Sequence, residues 1–562
     1  MYGELIKYGP LQLKQEITKL YNKIFETHQP CQALTSGLLV VLNKPGKDKL
    51  IKNTRPITLL NILRKLLSII ALDRIYDTME TYVSINQSGF KRNRSTSDIL
   101  WAYKWIQTIA DKYQEEFHIM GIDLSKAFDC INRQMLLDKL AQLLDESSLR
   151  IITYLLADTE LHVKLDGKIY NKFKTTIGTP QGDALSPILF IIYLEMAFRY
   201  HKEHFDTTYA NILHTPEARP SIIQEDIEYA DDTDFIDQQP VINLFRCAIL
   251  PDDLKRFNLQ MNAEKTEYTV INRETHHTNG TKKLGSLLSE EQDIKRRINL
   301  ANQKFGLLTK VWFNKKQISI ENKLRMYNAM IRPILLYNTS TYGITIATLE
   351  PLQAAHRKHL RKIAGIFYPE KITNLQLYER LNQKPLIFYI KKDQWQLFGH
   401  ILRRPEIPAY KMMQKYFELN NTQGMKKYRG RTPYNILGTL QHDLKRTHES
   451  FKNSQDLTNI ALSAQNRAQW RTRSLEIANY ATRTYLAEME NKRAERKRKR
   501  EMEVIIIAHH QDPEGNQPRR QRIRLFIDEQ RPLTLRISRG GRIAAPQAPA
   551  DQGRGDMMDL DE

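Results

Sequence analysis

The chain has 562 residues, of which 41% are hydrophobic, so roughly three or four domains with sizeable cores can form. Its 85 Lys and Arg residues against 64 Asp and Glu residues give a formal charge of +21, which favours a polyanionic partner such as nucleic acid. Three well-separated cysteines, Cys31, Cys130 and Cys247, argue against a disulfide framework or a cysteine-rich zinc module and indicate a reducing compartment.

The first third of the chain predicts helices alternating with short strands. Residues 1–34 predict a helical extension without a secretory signal, because apolar residues recur at helical spacing among charged ones. Residues 37–42 predict a short buried strand, and a helix should follow through Arg74. Residues 86–98 predict a basic loop that opens a further helix, and residues 117–124 predict a strand.

The middle and the end of the chain predict a hairpin and then many helices. Residues 201–220 indicate a polar surface loop, and residues 222–236 a hairpin with Asp231 and Asp232 at its bend. A helix is expected over 289–312, opened by a capping box of Ser289 and Gln292. Helical patterns continue to about residue 490. Residues 491–562, first basic and finally acidic, predict a disordered tail.

Three carboxylates are the strongest candidates for a catalytic site. Asp123 ends an apolar run, which on a buried strand places it at the open end of a sheet, beside the hairpin that carries Asp231 and Asp232. Carboxylates this close repel one another, and Mg²⁺, which prefers oxygen ligands, would neutralise them. Two such ions catalyse in-line attack on a phosphate. An isolated pair of aspartates would more often be solvated surface residues.

Three blocks in this order resemble the palm of a reverse transcriptase, of the type encoded by non-LTR (LINE-like) retrotransposons. They are GIDLSKAFD at 121–129, GTPQGDALSPILF at 178–190 and YADD at 229–232. The resemblance covers roughly residues 35–450 and implies an α+β right-hand polymerase with an antiparallel palm sheet. It implies fingers and palm over 35–288, a helical thumb over 289–345 and an α-helical C-terminal region over 346–490.

The resemblance also assigns roles to single residues. Asp123, Asp231 and Asp232 would be catalytic and would hold two Mg²⁺, with Mn²⁺ as an alternative. The nucleotide-binding candidates are Arg55 at the triphosphate, Phe128 as a steric gate against ribonucleotides, and Gln181 and Gly182 at the incoming nucleotide and the template base. Lys265 would protonate the leaving pyrophosphate. Two alternatives stay open: Phe128 could be an ordinary core residue, and Lys265 could have a structural role.

Further basic and turn residues resemble other parts of the polymerase. Lys47, Lys49 and Lys52 precede Arg55 in the segment that would grip the triphosphate, and Leu284-Gly285 resembles the primer-grip turn. The loop residues Lys91, Arg92 and Arg94 are expected to hold the template backbone, with a solvated basic loop as the alternative. His356 and His359 have the spacing of a metal pair but lie among basic residues, which favours a solvated helix.

These observations predict an RNA-directed DNA polymerase that extends a primer 3′-hydroxyl on an RNA template. Its partners would be template RNA, a DNA primer or target and dNTPs, without a membrane, and the primer would place the work in the nucleus. No endonuclease block is seen, so we expect an endonuclease from elsewhere. The alternatives are a catalytically inactive nucleic-acid-binding relic, or another lineage such as a group II intron maturase or telomerase.

Overall fold

The computed structural model contains two four-stranded sheets and many helices. It describes residues 3–27, 31–43, 48, 50, 54–157, 159–165, 167–210, 223–274, 280–343, 345–422, 425, 427–430 and 434–508. Contacts divide the chain into two compact units, Met1–Ala487 and Glu488–Glu562. Within the described residues, no helix combines the length and apolarity needed to cross a membrane.

The strands follow one another in chain order as β1 Ser36–Asn43, β2 Thr54–Leu60, β3 Phe117–Ile122, β4 Thr159–Leu165, β5 Lys168–Thr175, β6 Glu225–Tyr229, β7 Asp232–Asp237, β8 Glu267–Ile271, β9 Lys282–Lys283 and β10 Ser286–Leu287. The helices of the N-terminal half are α1 Gly3–Tyr8, α2 Leu11–Thr27, α3 Gln32–Thr35, α4 Ile62–Tyr82, α5 Thr96–Tyr113, α6 Arg133–Leu143, α7 Glu146–Leu156, α8 Ser186–Ala210 and α9 Pro240–Arg256. The later helices are α10 Glu290–Leu308, α11 Ile320–Met330, α12 Arg332–Leu336, α13 Ile346–Ala364, α14 Asn374–Arg380, α15 Leu386–Leu402, α16 Pro408–Asn421, α17 Ile436–Leu444, α18 Ser454–Ala464 and α19 Arg467–Ala508.

The first sheet has the order β2-β1-β4-β5. Its strands β1 and β2 lie within residues 35–115, predicted as fingers, whereas β4 and β5 lie within residues 116–288, predicted as palm. Strand β1 pairs parallel with β4, and the other neighbours are antiparallel. The second sheet has the order β6-β7-β3-β8 and is antiparallel throughout. All six residues of its central strand β3 are buried. The second sheet therefore has the antiparallel form expected of the palm, with the strand that precedes Asp123 at its centre.

Helix α5 is buried on nearly all sides. One side packs against the palm sheet, and the other packs against helices of the C-terminal region, where Trp101 stacks on Phe398 with ring centroids 5.8 Å apart. Near the middle of the helix, the ring of Trp105 packs against those of Tyr416 and Phe417, with centroids 5.5 and 5.9 Å apart. A capping box of Ser95 and Asp98 begins the helix. The helix thus joins the palm and the C-terminal region through one shared core.

Several segments differ from the sequence-based expectation. Residues 201–210 continue α8 instead of forming a loop, and residues 211–220 lie outside the described residues. Ser289 begins α10 without a side-chain capping bond, and Asp293 in the first turn accepts the Leu287 N–H at 3.0 Å. Residues 491–508 belong to α19, so this part of the predicted disordered tail is helical; the rest lies outside the described residues.

The segments that follow the thumb are packed in the interior. Trp395 donates from Nε1 to Asp443 at 3.0 Å, and Lys391 forms an ion pair with the same carboxylate at 2.7 Å. Gly399 lies against the indole of Trp470: a Cβ placed on it would lie 2.0 Å from Trp470 Nε1. These contacts give the segment from Trp395 onward a packing role.

Candidate active site

The palm sheet brings the three predicted catalytic carboxylates to one edge. Ile122 at the end of β3 pairs with Thr233 of β7, so the next residue, Asp123, stands opposite Asp232. The hairpin β6–β7 bends at Ala230 and Asp231, so Asp231 is at the predicted bend and Asp232 begins β7; Ala230 adopts a positive φ of 58°. The predicted strand and hairpin are confirmed, and their register makes the carboxylates neighbours.

The carboxylates influence one another's ionisation. Desolvation, and then the charge of Asp123, raises the pKa of Asp231. Desolvation, followed by the charges of Asp231, Asp234 and Asp123, raises the pKa of Asp232 to about 6, although its side chain reaches solvent. Negative charge therefore accumulates at this edge without full compensation.

The oxygen donors suit a hard divalent cation, whose charge would relieve this repulsion. Within the described part of the chain, however, no group of three or more His, Cys, Asp or Glu side chains is arranged to hold a metal ion. Lys265 Nζ lies 2.7 Å from Asp123 Oδ2, so an ammonium group already neutralises one of the three carboxylates. A cation held by Asp123 would compete with Lys265 for the charge of this carboxylate.

Lys265 reaches Asp123 because the chain passes directly beside it. The Asn262 N–H donates to the Asp123 carbonyl at 2.8 Å, and the following short helix, Ala263–Lys265, turns the lysine back toward the carboxylate. The side chain of Lys265 remains about half exposed in this contact. The sequence predicted this lysine at the pyrophosphate; in the structure it contacts Asp123, a candidate catalytic carboxylate.

Gln87 fixes the bend that carries Asp231, a role that the sequence did not reveal. Its Oε1 accepts from the Ala230 N–H at 2.7 Å, and its Nε2 donates to the Ala230 carbonyl at 3.2 Å. Gly89 permits the approach, since a Cβ there would lie 2.2 Å from the Ala230 nitrogen. The sequence signal was Gln-Ser-Gly inside a segment interpreted only as a basic loop.

A fourth carboxylate, Asp234, was also missed. It follows Asp232 by two residues in β7 and pairs with Lys283 at 2.6 Å. Asp123, Asp232, Asp234, Lys265 and Lys283 all line one cavity of about 320 Å³. The alternation of a strand, which points residues 232 and 234 to the same face, was the available signal.

The candidate nucleotide-binding turn Gln181-Gly182 packs against β2, the strand that carries Arg55. The Gln181 carbonyl accepts from the Thr58 N–H at 2.7 Å, and Gly182, with a φ of 119°, leaves no room for a Cβ, which would lie 2.7 Å from the Thr58 carbonyl oxygen. The hydrogen bond and the close approach hold β2 against the Gln181-Gly182 turn. Arg55 is exposed, and its positive charge offsets a small part of the desolvation that raises the pKa of Asp231.

Two neighbouring side chains are held in place there. Gln181 Nε2 donates to Asp129 at 3.2 Å. Phe128 stacks on Phe190 with centroids 4.4 Å apart and meets Phe90 edge-on at 6.3 Å. Phe128 is partly buried, and these two ring contacts support its side chain.

The turn Leu284-Gly285 joins β9 and β10, and both residues have positive φ. Arg296 of α10 donates to the Gly285 carbonyl at 2.7 Å, and Tyr337 donates to the Leu284 carbonyl at 3.0 Å. The predicted turn is therefore formed and is braced by the region expected to be the thumb.

Other predicted residues behave differently. Lys91 is buried and donates to the carbonyls of Val83 and Ser84 at 3.2 and 3.1 Å, so the prediction that it holds the template was wrong. Arg94 likewise donates to the Ile85 carbonyl at 3.0 Å, whereas Arg92 is exposed and pairs with an exposed aspartate. Lys47, Lys49 and Lys52 lie outside the described residues.

His356 and His359 are not solvated, contrary to expectation. Burial lowers the pKa of His356 to about 3 and that of His359 to about 4, so both are neutral core residues. His356 Nδ1 meets the Tyr327 hydroxyl at 2.7 Å, and His359 stacks on Phe305 at 4.2 Å. One face of α13 turns inward despite its basic neighbours.

Comparisons with known proteins agree with this arrangement. The family described as reverse transcriptase (RNA-dependent DNA polymerase) matches residues 42–295. The RNA-directed DNA polymerase from mobile element jockey of Drosophila melanogaster is 24% identical over 395 residues, covering 64% of this chain and 41% of that protein. The protein of the same name from Drosophila funebris is 25% identical over 388 residues, with the same coverage of 64% and 41%.

A solved telomerase from Candida albicans is similar at 11% identity with a TM-score of 0.37, covering 74% of this chain and 67% of that one. The chain spans less than half the length of the curated relatives that it matches. The three carboxylates lie within residues 42–295, the stretch that is similar to the reverse transcriptase (RNA-dependent DNA polymerase) family.

Proposed function

We propose that the protein is the RNA-directed DNA polymerase of a non-LTR retrotransposon, which extends a primer 3′-hydroxyl on an RNA template. The observation that carries the proposal is the convergence of Asp123, Asp231 and Asp232 at one edge of an antiparallel sheet inside the matched domain. The curated relatives named as polymerases of mobile elements support the choice of element.

The three carboxylates would hold two Mg²⁺ ions. When bound, the ions activate the primer hydroxyl and stabilise the charge of the leaving pyrophosphate. Around them, Arg55 would hold the triphosphate, because its guanidinium offers paired donors to phosphate oxygens. Gln181 and Gly182 would contact the base pair that forms, since their turn is fixed against Thr58.

Phe128 and Lys265 would complete the chemistry. The ring of Phe128, supported by Phe190, would crowd the 2′ position of the incoming sugar and so select dNTPs. Lys265, once displaced from Asp123, would be available to donate a proton to the leaving pyrophosphate.

The partners of this activity would be template RNA, a DNA primer and dNTPs. The formal charge of +21 suits contacts with two phosphate backbones. A primer in the form of nicked target DNA would place the protein in the nucleus and would require an endonuclease.

Primer extension tests the proposal. Purified protein receives an oligo(dT)-primed RNA template, dNTPs and Mg²⁺, beside an Asp231→Asn/Asp232→Asn variant and an Asp252→Asn control. Asp252 is an exposed aspartate of α9, paired only with Lys255 among the described ion pairs. We expect extension by the wild type and the control and none by the double variant. Retained RNA binding without extension by any of them would instead indicate a nucleic-acid-binding relic.

A further inference from the structure

A buried ion pair joins the hairpin β9–β10 to the strand that carries Asp232. Lys283 Nζ lies 2.6 Å from Asp234 Oδ1, and the two side chains are only 9% and 13% exposed. The other oxygen of Asp234 accepts from the hydroxyl of Tyr103, which is fully buried in α5. Both oxygens of the carboxylate are therefore engaged, one by each neighbouring element.

The ion pair fits beside β3 because the strand has a glycine, Gly121, at this point. Gly121 of β3 pairs with Asp234 across the sheet. A Cβ on Gly121 would lie 2.5 Å from Asp234 Oδ1 and 2.7 Å from Lys283 Nζ. Any larger residue at 121 would therefore push the ammonium and the carboxylate away from their present positions.

Helix α5 fixes the same hairpin at two further points. Lys104, next to Tyr103, donates from Nζ to the Leu288 carbonyl at 2.7 Å. Asn338 bridges the two elements: its Oδ1 accepts a hydrogen bond from the Ser97 hydroxyl of α5 at 2.9 Å, and its Nδ2 donates to Ser286 Oγ of β10 at 3.1 Å. Because α5 is buried on nearly all sides, these contacts fix the position of the hairpin β9–β10 relative to the palm sheet.

Stability alone does not account for a buried ion pair, since the cost of desolvating both charges offsets much of their attraction, and an apolar pair can be as stable. The pair does lie in a defined place: Asp234 is two residues from Asp232, and Lys283 is adjacent to the Leu284-Gly285 turn. Its two halves thus connect the catalytic edge to the turn that faces the same cavity.

We infer that Lys283 and Asp234 are positioning residues, which set the distance between the Leu284-Gly285 turn and the catalytic aspartates and so place the primer 3′ end for extension. The inference rests on the proposed function. It predicts that the pair matters for the rate of the chemical step more than for the affinity of the primer–template duplex, whose phosphate contacts are spread over a much larger surface.

The test is a double-mutant cycle of Lys283→Met and Asp234→Asn. Each single variant leaves a buried charge unpaired and should lower the melting temperature, whereas the double variant removes both charges and should recover it. We expect kcat for extension to fall by about tenfold to hundredfold in all three variants, because a displacement of about 1 Å at the reacting atoms has effects of this size. The duplex Kd should stay within about twofold of the wild type.

A second readout does not require turnover: 2-aminopurine at the primer 3′ end should change its fluorescence in the double variant relative to wild type. The control is Asp252→Asn/Lys255→Met, an exposed pair with a 2.8 Å contact, which should change none of these quantities. A double variant that regains both melting temperature and wild-type kcat, or that loses duplex affinity along with kcat, would overturn the inference. If the wild type itself does not extend, the proposed function fails, and unchanged fluorescence would then overturn the positioning role independently.

Discussion

The side-chain amide of Gln87 pairs with the backbone of Ala230 through both its oxygen and its nitrogen, across 143 residues of sequence. Ala230 has a left-handed conformation, which costs an L-residue with a side chain roughly 1 kcal/mol and needs support from its surroundings. The bend that presents Asp231 is therefore held from outside the hairpin.

Replacement of Gln87 by Ala should loosen this bend. The variant leaves the buried Ala230 N–H without its partner, so we expect the free energy of unfolding to fall by about 1–3 kcal/mol and extension to fall with it. Urea unfolding and primer extension measure the two effects. Gln142→Ala, at an exposed glutamine of α6, is the matched control. Full extension by Gln87→Ala would show that the hairpin holds its own bend.

The raised pKa of Asp232 predicts a pH-dependent stability in the absence of metal. Its value of about 6 lies above the roughly 3.9 of an unfolded aspartate, so the folded protein binds this proton more tightly. This contribution is fully present below about pH 4 and is lost as the pH rises through about 6. In EDTA, Asp232→Asn should therefore melt above the wild type at pH 7, and the difference should vanish near pH 4.

Asp252→Asn serves as the control, because a hydrogen bond and the charge of Lys255 lower the pKa of this exposed aspartate instead. It should show no gain at pH 7. A difference between Asp232→Asn and wild type that is the same at both pH values would contradict the raised pKa.

The contact between Lys265 and Asp123 predicts competition with the metal. Lys265→Met should bind Mn²⁺ about two- to fivefold more tightly, as expected from the loss of a partly exposed ion pair, and should nevertheless extend primers more slowly. Titration of the Mn²⁺ signal by electron paramagnetic resonance measures the affinity. Lys265→Arg keeps the positive charge and should bind Mn²⁺ like the wild type. Weaker binding by Lys265→Met would show that the lysine does not oppose the metal.

The supported ring of Phe128 predicts sugar selection. Phe128→Val should raise the use of UTP relative to dTTP by about tenfold or more, because the ring that crowds the 2′ position becomes smaller. The ratio of kcat/KM for the two nucleotides measures the change. Phe367→Val, at an exposed phenylalanine, is the control. An unchanged ratio would return Phe128 to the role of a core residue.

The close contact of Gly399 with Trp470 predicts that the segment around it is structural. Gly399→Ala should destabilise the protein by about 1–3 kcal/mol through overpacking. Gly306→Ala makes the same change where a Cβ meets nothing within 4 Å, and should be neutral or stabilising by up to about 1 kcal/mol. Thermal unfolding compares the two. Equal melting temperatures of the Gly399→Ala and Gly306→Ala variants would show that Gly399 is not needed for packing.

The sequence predicted those parts of the site that depend on local pattern. The apolar run before Asp123 and the alternation around Asp231 and Asp232 were enough for the strand, the hairpin and their proximity. The partners of Gln87 and Lys283 could not be predicted, because each is fixed by a residue far away in the chain and no local period encodes it.

Helix burial was the other source of error. The basic neighbours of His356 and His359 suggested a solvated helix, but a helix presents residues three and four apart on one face, and this face turns inward. The polar residues 201–210 continue α8 for the same reason: His201 and Phe205 are buried, while their neighbours reach solvent.

Helix α5 determines how small a working fragment can be. Since Trp101 and Trp105 are covered by residues between Phe398 and Phe451, a polypeptide cut after the thumb would leave two indoles and an apolar helix surface facing water. Such a fragment would contain every candidate catalytic residue and would still be prone to aggregate. A soluble polypeptide must therefore include the helices that cover α5, and it is considerably longer than the segment that contains the candidate catalytic residues.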